Sequence, residues 1–311
     1  MTAQQLNLCT GSSKKITVAI YSIGDLEKLS GIKAHTIRMW EQRYGIVVPR
    51  RTDTNIRYYE DSDLKLLLNI ALLNKNGIKI SKIAKMSKEA IAQKVAAISE
   101  VNFEYDTQLD ALTISMIEMD EYKFDRIIST NIRQIGFEKT MLEVIYPFLE
   151  KLSLLWMTGS IQPIQEHFIS NLIRQKLIVA IDQEPFPRGS KVKKFVVYLP
   201  EGETQELSLL FMHYLLKSRN HQVIYLGQNI SMFDLKDTCK IHKPDYVFTL
   251  ITETFIQRSI QEYIDELAEY IQPAHMLLSG YQVVVQRVNS TDTVSVFGSL
   301  DETIEFLERL P

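Results

Sequence analysis

The spacing of hydrophobic residues changes twice along this chain of 311 residues. In the first part, apolar residues recur at helical spacing in short segments that glycines interrupt. In the middle part, helical spacing continues in longer stripes without a strand-like run. In the last part, short apolar runs alternate with amphipathic helical patterns. The pattern predicts a disordered tail and three domains, with the boundaries 1–18, 19–90, 91–185 and 186–311.

The first domain is predicted to contain two short helices and a hairpin. Ser22 is a suitable N-cap for a helix that ends at Gly31, and residues 33–44 form the second helix. Residues 52–55 form the tip between two extended arms, and Asp61 caps a further helix. This order of elements is typical of a winged helix-turn-helix, whose second helix enters the major groove of DNA.

The charge pattern contains a basic segment, although the formal net charge is only −3. Between Lys33 and Arg57 there are six Lys or Arg residues and two acidic residues. Arginine pairs with guanine edges or phosphates, and a threonine or backbone N–H at a helix start can also bind a phosphate. A small helical domain with a solvated charged face is the alternative. A basic module on a mildly acidic chain indicates that one end contacts nucleic acid.

Composition and missing motifs narrow the class of protein. Cys9 and Cys239 form no CxxC pair, which fits a reducing cytoplasm. No apolar run approaches the length of a membrane span, and the N-terminus has no signal-peptide pattern. GxSxG, HExxH and Walker loop motifs are also absent from the sequence. We therefore expect a cytoplasmic protein that is not an enzyme.

Four segments within residues 20–90 form a specific pattern, namely YSIGDLEKLSGI, HTIRMWEQRYG, PRRT and IRYY. This pattern resembles the winged helix-turn-helix of the MerR family of transcription regulators. The resemblance implies a dimer on a palindromic double-stranded operator, with Trp40 and Tyr44 in the core of the domain. Together with the charge pattern, it predicts DNA contacts by Thr36, Arg38, Arg43, Arg50, Arg51, Asn55, Arg57 and Tyr58.

The long dimerisation helix of most members of that family has no counterpart in this sequence. Residues 87–100 are followed by a polar break at 102–106, without a long heptad run. We therefore expect the homodimer, or a higher homo-oligomer, to form through the rest of the chain.

The middle domain shows four apolar stripes at helical spacing, which predict a four-helix bundle. Trp156 ends one of these helices, and Glu166 and His167 begin the next after a Gly-Ser-x-x-Pro turn. A flat aromatic ring beside a carboxylate and an imidazole could cover a ligand that has a ring and hydroxyls. The alternative is a buried tryptophan with a surface Glu-His pair.

The last domain alternates strands and helices. Strands are predicted at 194–199, 222–226, 245–250, 275–279 and 293–297, and helices at 203–218, 231–241, 257–270 and 300–310. This alternation predicts a Rossmann-like (flavodoxin-like) five-stranded parallel sheet. The whole chain is then a multidomain α and α/β protein. Ligands bind such sheets beyond the carboxyl ends of the strands, here at loops 200–205, 227–231, 249–253 and 279–281.

The order of the three domains is similar to the cobalamin-binding (CarH/LitR/CarA-like) subgroup of MerR-family regulators, which includes light sensors. In that subgroup, W-x9-E-H residues cover the adenosyl group of the cofactor, and the histidine of an E/D-x-H-x-x-G motif ligates the cobalt from below. In this chain, Gln205 stands at the place of that histidine and Ser208 at that of the glycine. The cofactor-binding candidates that the resemblance implies are Trp156, Glu166, His167, Glu203, Gln205, Ser208, Thr249, Ser279 and Gly280.

The missing histidine favours a sensor domain that has lost or altered cofactor binding, because an amide is a poor ligand for a transition metal. Three alternatives stay open. The domain binds adenosylcobalamin without a protein ligand below the cobalt, binds another planar or nucleotide-like ligand, or is a ligand-free scaffold for dimerisation. The expected effector is a small molecule or a protein. Two other functions compete with this interpretation. One is a repressor with intact cobalamin or light sensing, and the other is a component of a cobalamin-dependent enzyme.

Overall fold

The computed structural model describes residues 20–51, 57–101, 105–157, 161–252 and 260–310. The predicted tail at 1–18 and the predicted DNA contact Asn55 lie outside the described residues. The chain divides into two compact units, Met1–Phe168 and Ile169–Pro311. In the described ranges, no helix is both long enough and apolar enough to cross a membrane.

The N-terminal part of the first unit, which we call the head, combines short strands with helices. In chain order, its elements are β1 (Ile20–Tyr21), α1 (Ile23–Ser30), α2 (Ala34–Tyr44), β2 (Arg50–Arg51), β3 (Arg57–Glu60), α3 (Asp61–Lys75), α4 (Ile80–Ile83) and α5 (Lys88–Val101). Strand β3 pairs antiparallel with both β1 and β2. The sequence did not predict β1, because two residues are too few to show an alternating pattern.

The predicted start of the first helix and the predicted C-terminal ends of both helices are confirmed by their caps, whereas α2 begins one residue later than predicted. Ser22 Oγ accepts a hydrogen bond from the Asp25 N–H at 3.2 Å, and Asp25 Oδ2 accepts one from the Ser22 N–H at 2.8 Å. This reciprocal pair is a capping box. Gly31 and Gly45 follow α1 and α2 with φ of 71° and 62°, which glycine adopts without steric strain.

The predicted cap of α3 is wrong by one residue. Glu60 is the N-cap, and Asp61 is the first residue of the helix. The Glu60 N–H donates to Asp63 Oδ2 at 2.9 Å, so that the two carboxylates form the capping box. The core of the head contains the predicted Trp40, and its other buried side chains include Leu26, Leu29, Ile37, Val47, Tyr59, Leu64, Leu67 and Leu68.

The middle of the chain contains the four predicted helical stretches. They are α6 (Tyr105–Glu118), α7 (Glu121–Ile135), a continuous stretch made of α8 (Phe137–Thr140), a π-helical turn (Met141–Ile145) and α9 (Tyr146–Met157), and finally α10 (Pro163–Gln183). Helix α6 packs against α3, α7 and α9. Asp110 on α6 forms ion pairs with Lys75 at 3.4 Å and Lys151 at 2.9 Å. The division between the two units falls inside α10.

The second unit contains the α/β domain. After α10, its elements are β4 (Lys194–Pro200), α11 (Glu206–Ser218), β5 (Gln222–Ile230), α12 (Met232–His242), β6 (Tyr246–Leu250), α13 (Ile260–Tyr270), β7 (His275–Ser279), α14 (Tyr281–Val285), β8 (Val294–Val296) and α15 (Leu300–Glu308). The five strands are parallel in the order β5-β4-β6-β7-β8. This is the predicted flavodoxin-like order. The second strand, β5, lies on one side of the first strand, β4, and the later strands are added on the other side.

Three local predictions for this domain are wrong. Helix α11 begins at Glu206 rather than at 203, because the Glu203 side chain makes contacts elsewhere. Strand β5 continues to Ile230, where it still pairs with Pro200 of β4 after irregularities in register. The predicted loop 279–281 is one residue too long, because Tyr281 is the first residue of the short helix α14, which was not predicted.

Candidate nucleic-acid interface and candidate ligand edge

Helix α2 has one buried side and one exposed side. Ile37 and Trp40 are buried against the rest of the head. Five side chains are exposed, namely His35, Arg38, Met39, Gln42 and Arg43. With about 3.6 residues per turn, these five form a single arc in the order Arg38, Gln42, His35, Met39, Arg43. The two predicted arginines therefore lie at the borders of this exposed arc, and the three residues between them were not predicted as DNA contacts.

The start of α2 is already occupied by a carboxylate. The Ala34 N–H donates to Glu27 Oε2 at 3.1 Å, and Lys33 Nζ donates to Glu27 Oε1 at 3.0 Å. The pKa of Glu27 is lowered, first by the hydrogen bond from Lys33 and then by that from the Ala34 N–H. The predicted Thr36 is half-buried, with Oγ1 3.3 Å from His35 Nε2. The Ala34 N–H is therefore not available to a phosphate in this conformation.

The wing, which is the hairpin of β2 and β3, places two arginines opposite each other. Arg51 on β2 pairs directly with Arg57 on β3, and both side chains are exposed. Like charges at such a position repel each other, since the side chains project from the same face. Arg50 is exposed as well, but it forms an ion pair with Glu60. A polyanion beside the wing would attract both arginines and would reduce the repulsion between them.

Two neighbouring tyrosines of β3 have different environments. Tyr58 lies opposite Arg50 in the hairpin and is half-buried. Tyr59 is completely buried, and it was not among the predicted core residues. Burial raises the pKa of Tyr59, and Glu41 adds to the increase, while Arg57 and Arg38 oppose it. The side chain that fixes the wing to the helices is therefore Tyr59, and Tyr58 remains accessible beside the basic residues.

At the carboxyl edge of the sheet, Glu203 is bound within the protein. Its side chain is buried and accepts two hydrogen bonds from Thr252, one from the N–H to Oε1 and one from the hydroxyl to Oε2, both at 2.6 Å. These contacts join the loop after β4 to the end of β6. A carboxylate near a metal-binding histidine usually orients the imidazole, but both oxygens of Glu203 are committed to Thr252.

The residues at the degenerate motif positions are close to the start of α11. Gln205 is the exposed N-cap residue, and its side chain makes no capping hydrogen bond. Ser208 lies in the first turn and is half-buried. Glu206, between them, accepts a hydrogen bond from Arg174 Nε of α10 at 2.7 Å and forms an ion pair with Nη2 of the same arginine at 2.6 Å. The position of the missing histidine is thus accessible but carries an amide.

Beneath this edge, the hydrophobic interior contains the hydroxyl groups of Tyr198, Thr249 and Tyr263. The Tyr198 and Tyr263 hydroxyls lie 3.1 Å apart in the core. Thr249 is completely buried beside Tyr198, although Oγ1 is outside good hydrogen-bond geometry. Burial is the main cause that raises the pKa of Tyr198, followed by the neighbouring Tyr263. The predicted candidate Thr249 therefore faces the protein interior.

Ser279 and Gly280 are also shaped by contacts within the protein. Ser279 Oγ donates to the Phe297 carbonyl at 3.3 Å, and its own carbonyl accepts from the Ile251 N–H at 2.9 Å. Gly280 has φ of 116°, and a Cβ at this position would lie 2.4 Å from the Ile251 carbonyl oxygen. Glycine is required here because the end of β6 approaches so closely.

The described parts of the other candidates show no metal site. Glu166 and His167 lie at the start of α10, with Oε2 and Nε2 3.8 Å apart, and His167 is strongly exposed. Trp156 lies in α9, but its side chain is outside the described part of the structure. His213 stacks on Tyr225, and burial lowers its pKa to about 4. Among the described residues, no group of three His, Cys, Asp or Glu side chains could hold a metal ion.

The winged fold and the exposed basic arc define a helix-turn-helix transcription regulator. Residues 21–90 match the family described as MerR HTH family regulatory protein. Residues 108–180, which cover most of the helices from α6 to α10, match the family described as B12 binding domain. The chain is a MerR-family regulator with a B12-binding domain.

Two relatives from Myxococcus xanthus are similar over most of this chain. The HTH-type transcriptional repressor CarH is 27% identical over 258 residues, which are 81% of this chain and 84% of that protein. The HTH-type transcriptional repressor CarA is 24% identical over 281 residues, which are 89% and 90%. Among solved structures, the monomethylamine corrinoid protein of Methanosarcina barkeri has a TM-score of 0.47 and 11% identity, over 62% of this chain and 94% of that one. The chain is homologous to the two repressors.

Proposed function

We propose that this protein is a cytoplasmic, non-enzymatic transcriptional repressor that binds a palindromic operator as a homo-oligomer. We further propose that it does not use a protein ligand to hold the cobalt of cobalamin. The DNA-binding part rests on one observation above all. Helix α2 exposes Arg38 and Arg43 at the two borders of one arc, next to a wing that exposes Arg51 and Arg57.

The arrangement of these charges fits a duplex. An α-helix fits into the major groove, and phosphates line both sides of that groove. Arginines at both borders of the exposed arc can therefore reach the two backbones, or the guanine edges next to them. The directly paired Arg51 and Arg57 would contact the backbone beside the groove, because their mutual repulsion is relieved by a phosphate. The names of the two relatives support repression as the output.

The residues at the sheet edge do not fit a histidine-ligated cobalamin. The E-x-Q-x-x-S run has an exposed amide at Gln205, and an amide is a poor donor to cobalt compared with imidazole. Glu203 is committed to Thr252, and Gly280 is closed in by the Ile251 backbone. We propose that this unit acts mainly as a scaffold that sets the spacing of the two heads. An effector, whether a small molecule or a protein, would act by changing that spacing and hence the affinity for the operator.

Cobalamin-responsive repression is the second candidate, because residues 108–180 match a B12 binding domain. Incubation with adenosylcobalamin in the dark, followed by desalting and an absorbance spectrum, separates the two. The scaffold proposal predicts no retained chromophore. A retained stoichiometric red chromophore would favour a cobalamin-responsive repressor that binds the cofactor without a cobalt ligand from Gln205.

The DNA-binding proposal is tested by selection of operators from a random pool of duplexes. Enriched sequences should contain two inverted half-sites, and the logarithm of the affinity should fall linearly with the logarithm of salt concentration. Arg57→Ala should reduce the magnitude of that salt slope by about 2 for a dimer, because one phosphate contact is lost in each half-site. Recovery of no common sequence, with equal affinity for every duplex, would contradict the proposal.

A further inference from the structure

Helix α2 carries an apolar side chain within its exposed polar arc. Met39 is 48% exposed, although the other strongly apolar residues of the helix, Ile37 and Trp40, are buried. Single exposed apolar side chains are common on protein surfaces, so the exposure alone would mean little. Its position matters more, because Met39 lies between His35 and Arg43 on the arc that carries the two DNA-contact arginines.

The exposed arc separates charged residues from residues of other kinds. Arg38 and Arg43 occupy its two borders, and Gln42, His35 and Met39 lie between them. When a helix lies in the major groove, its borders are closest to the phosphates and its centre is closest to the base edges. The central side chains are therefore the ones placed to read bases. His35 Nε2 lies 3.3 Å from Thr36 Oγ1. The other two central side chains, Gln42 and Met39, make no side-chain hydrogen bond or ion pair among the described residues.

The chemistry of these two side chains matches one kind of base pair. In the major groove, the thymine C5-methyl is an apolar group, and adenine offers a donor and an acceptor that match an amide. We infer that Met39 contacts thymine methyl groups and that Gln42 hydrogen-bonds adenine, so that the centre of α2 selects A·T base pairs in each half-site. The inference rests on the proposed DNA-binding function and adds the bases that the helix prefers.

The test removes the methyl group without changing any hydrogen bond. Thymines of the selected operator are replaced one at a time by deoxyuridine, and the dissociation constant is measured with wild-type protein and with Met39→Ala. For the wild type, at least one replacement in each half-site should weaken binding by about fourfold, the value expected for one buried methyl group. For Met39→Ala, the same replacement should change binding by less than about 1.5-fold, because the methyl no longer has a partner.

Met119→Ala is a matched control, since Met119 is a methionine of similar exposure at 44% but lies after α6. This variant should keep the full penalty for deoxyuridine. Thermal melting of both variants would show that the head stays folded. Wild-type binding that ignores every replacement, or a Met39→Ala protein that keeps the wild-type penalty, would overturn the inference while leaving the DNA-binding proposal intact. Failure of the wild type to bind any duplex with sequence preference would instead overturn both.

Discussion

In the head, Arg38 and Arg57 are exposed and make no ion pair within the described residues, and Arg57 even lies opposite Arg51. At the carboxyl edge of the sheet, by contrast, Glu203 is buried and holds Thr252 through both oxygens. The first region leaves charge to be neutralised by something outside the chain. In the second region, the buried carboxylate of Glu203 is satisfied from within the protein, although Thr249 Oγ1 has no hydrogen-bond partner among the described residues.

This difference separates the question of DNA binding from the question of cofactor binding, although a family resemblance predicts both together. A binding surface needs groups whose partners come from the ligand, because a group already satisfied inside the protein must break a bond before it can bind. By that criterion, the head is built for a polyanion. The sheet edge keeps the fold of a ligand-binding domain, but Glu203 and Gly280 serve contacts between its own loops.

The largest effect is expected from Gly280→Ala, which tests whether the sheet edge is closed. The new Cβ would lie 2.4 Å from the Ile251 carbonyl oxygen, and φ of 116° is unfavourable for alanine. The free energy of unfolding should fall by about 3 kcal/mol or more. Circular dichroism in urea is the suitable probe, because Trp40 and Trp156, the two tryptophans of the chain, both lie in the other unit.

Gly189→Ala is the matched control for this substitution. Gly189 also has a positive φ, of 108°, but a Cβ at this position would have no neighbouring atom within 4 Å, so only the backbone strain applies. A loss of about 1 kcal/mol is expected for this control. Equal losses for the two variants would show that the contact with Ile251 is not tight.

Arg43→Ala tests the outward-facing side of the comparison. Loss of one arginine contact should weaken operator binding by about 1–3 kcal/mol for each half-site, or roughly five-fold to 150-fold per contact in the dissociation constant at fixed salt. Arg309→Ala serves as the control, because Arg309 is an exposed arginine that pairs with Glu305 at the end of the chain. A gel-shift titration in which Arg43→Ala and Arg309→Ala bind like the wild type would refute the assignment of α2.

Glu203→Gln should have a smaller effect on stability than Gly280→Ala. The amide can accept only one of the two hydrogen bonds from Thr252, which leaves a donor without its charged partner. A loss of about 1–2 kcal/mol in unfolding free energy is expected. The exposed Glu201→Gln should lose almost nothing in the same urea titration. If Glu203→Gln were as stable as the wild type, the bond to Thr252 would not hold the edge closed.

The smallest effect is a dependence of stability on pH. Burial lowers the pKa of His213 from 6.5 to about 4, so the folded state resists protonation that the unfolded state accepts. Its contribution to stability is therefore fully present above pH 6.5 and is lost as the pH falls towards 4. His213→Phe keeps a ring against Tyr225 but cannot titrate, so its urea midpoint should fall less between pH 7 and pH 5 than that of the wild type. Identical falls would argue against burial of the imidazole.

The fold was predictable where the signals were local. Strand β7 lies at the predicted residues 275–279, and Ser22 is the predicted N-cap of α1. The parallel sheet followed from the alternation of apolar runs and amphipathic helices. By contrast, the bond between Glu203 and Thr252 joins residues 49 positions apart, which local spacing cannot reveal. That bond also explains why α11 starts at Glu206 rather than at 203.

The candidate DNA contacts show the same limit in another form. Arg38 and Arg43 were found because charge is visible in a sequence. Met39 and Gln42 were missed because neither is charged, although counting by helical turns from the buried Ile37 and Trp40 would have placed them on the exposed side. Helical periodicity, when it is applied to uncharged residues as well, indicates which side chains can set the DNA sequence preference, and composition does not.

The most direct test is a titration of the selected operator with the full-length protein in the dark, with and without adenosylcobalamin. If the head binds DNA and the sheet edge is closed, binding should be sequence-specific and the two dissociation constants should agree within about twofold, since a ligand that does not bind cannot shift an equilibrium. Absence of sequence-specific binding, or a dissociation constant that changes about tenfold when adenosylcobalamin is added, would contradict the account.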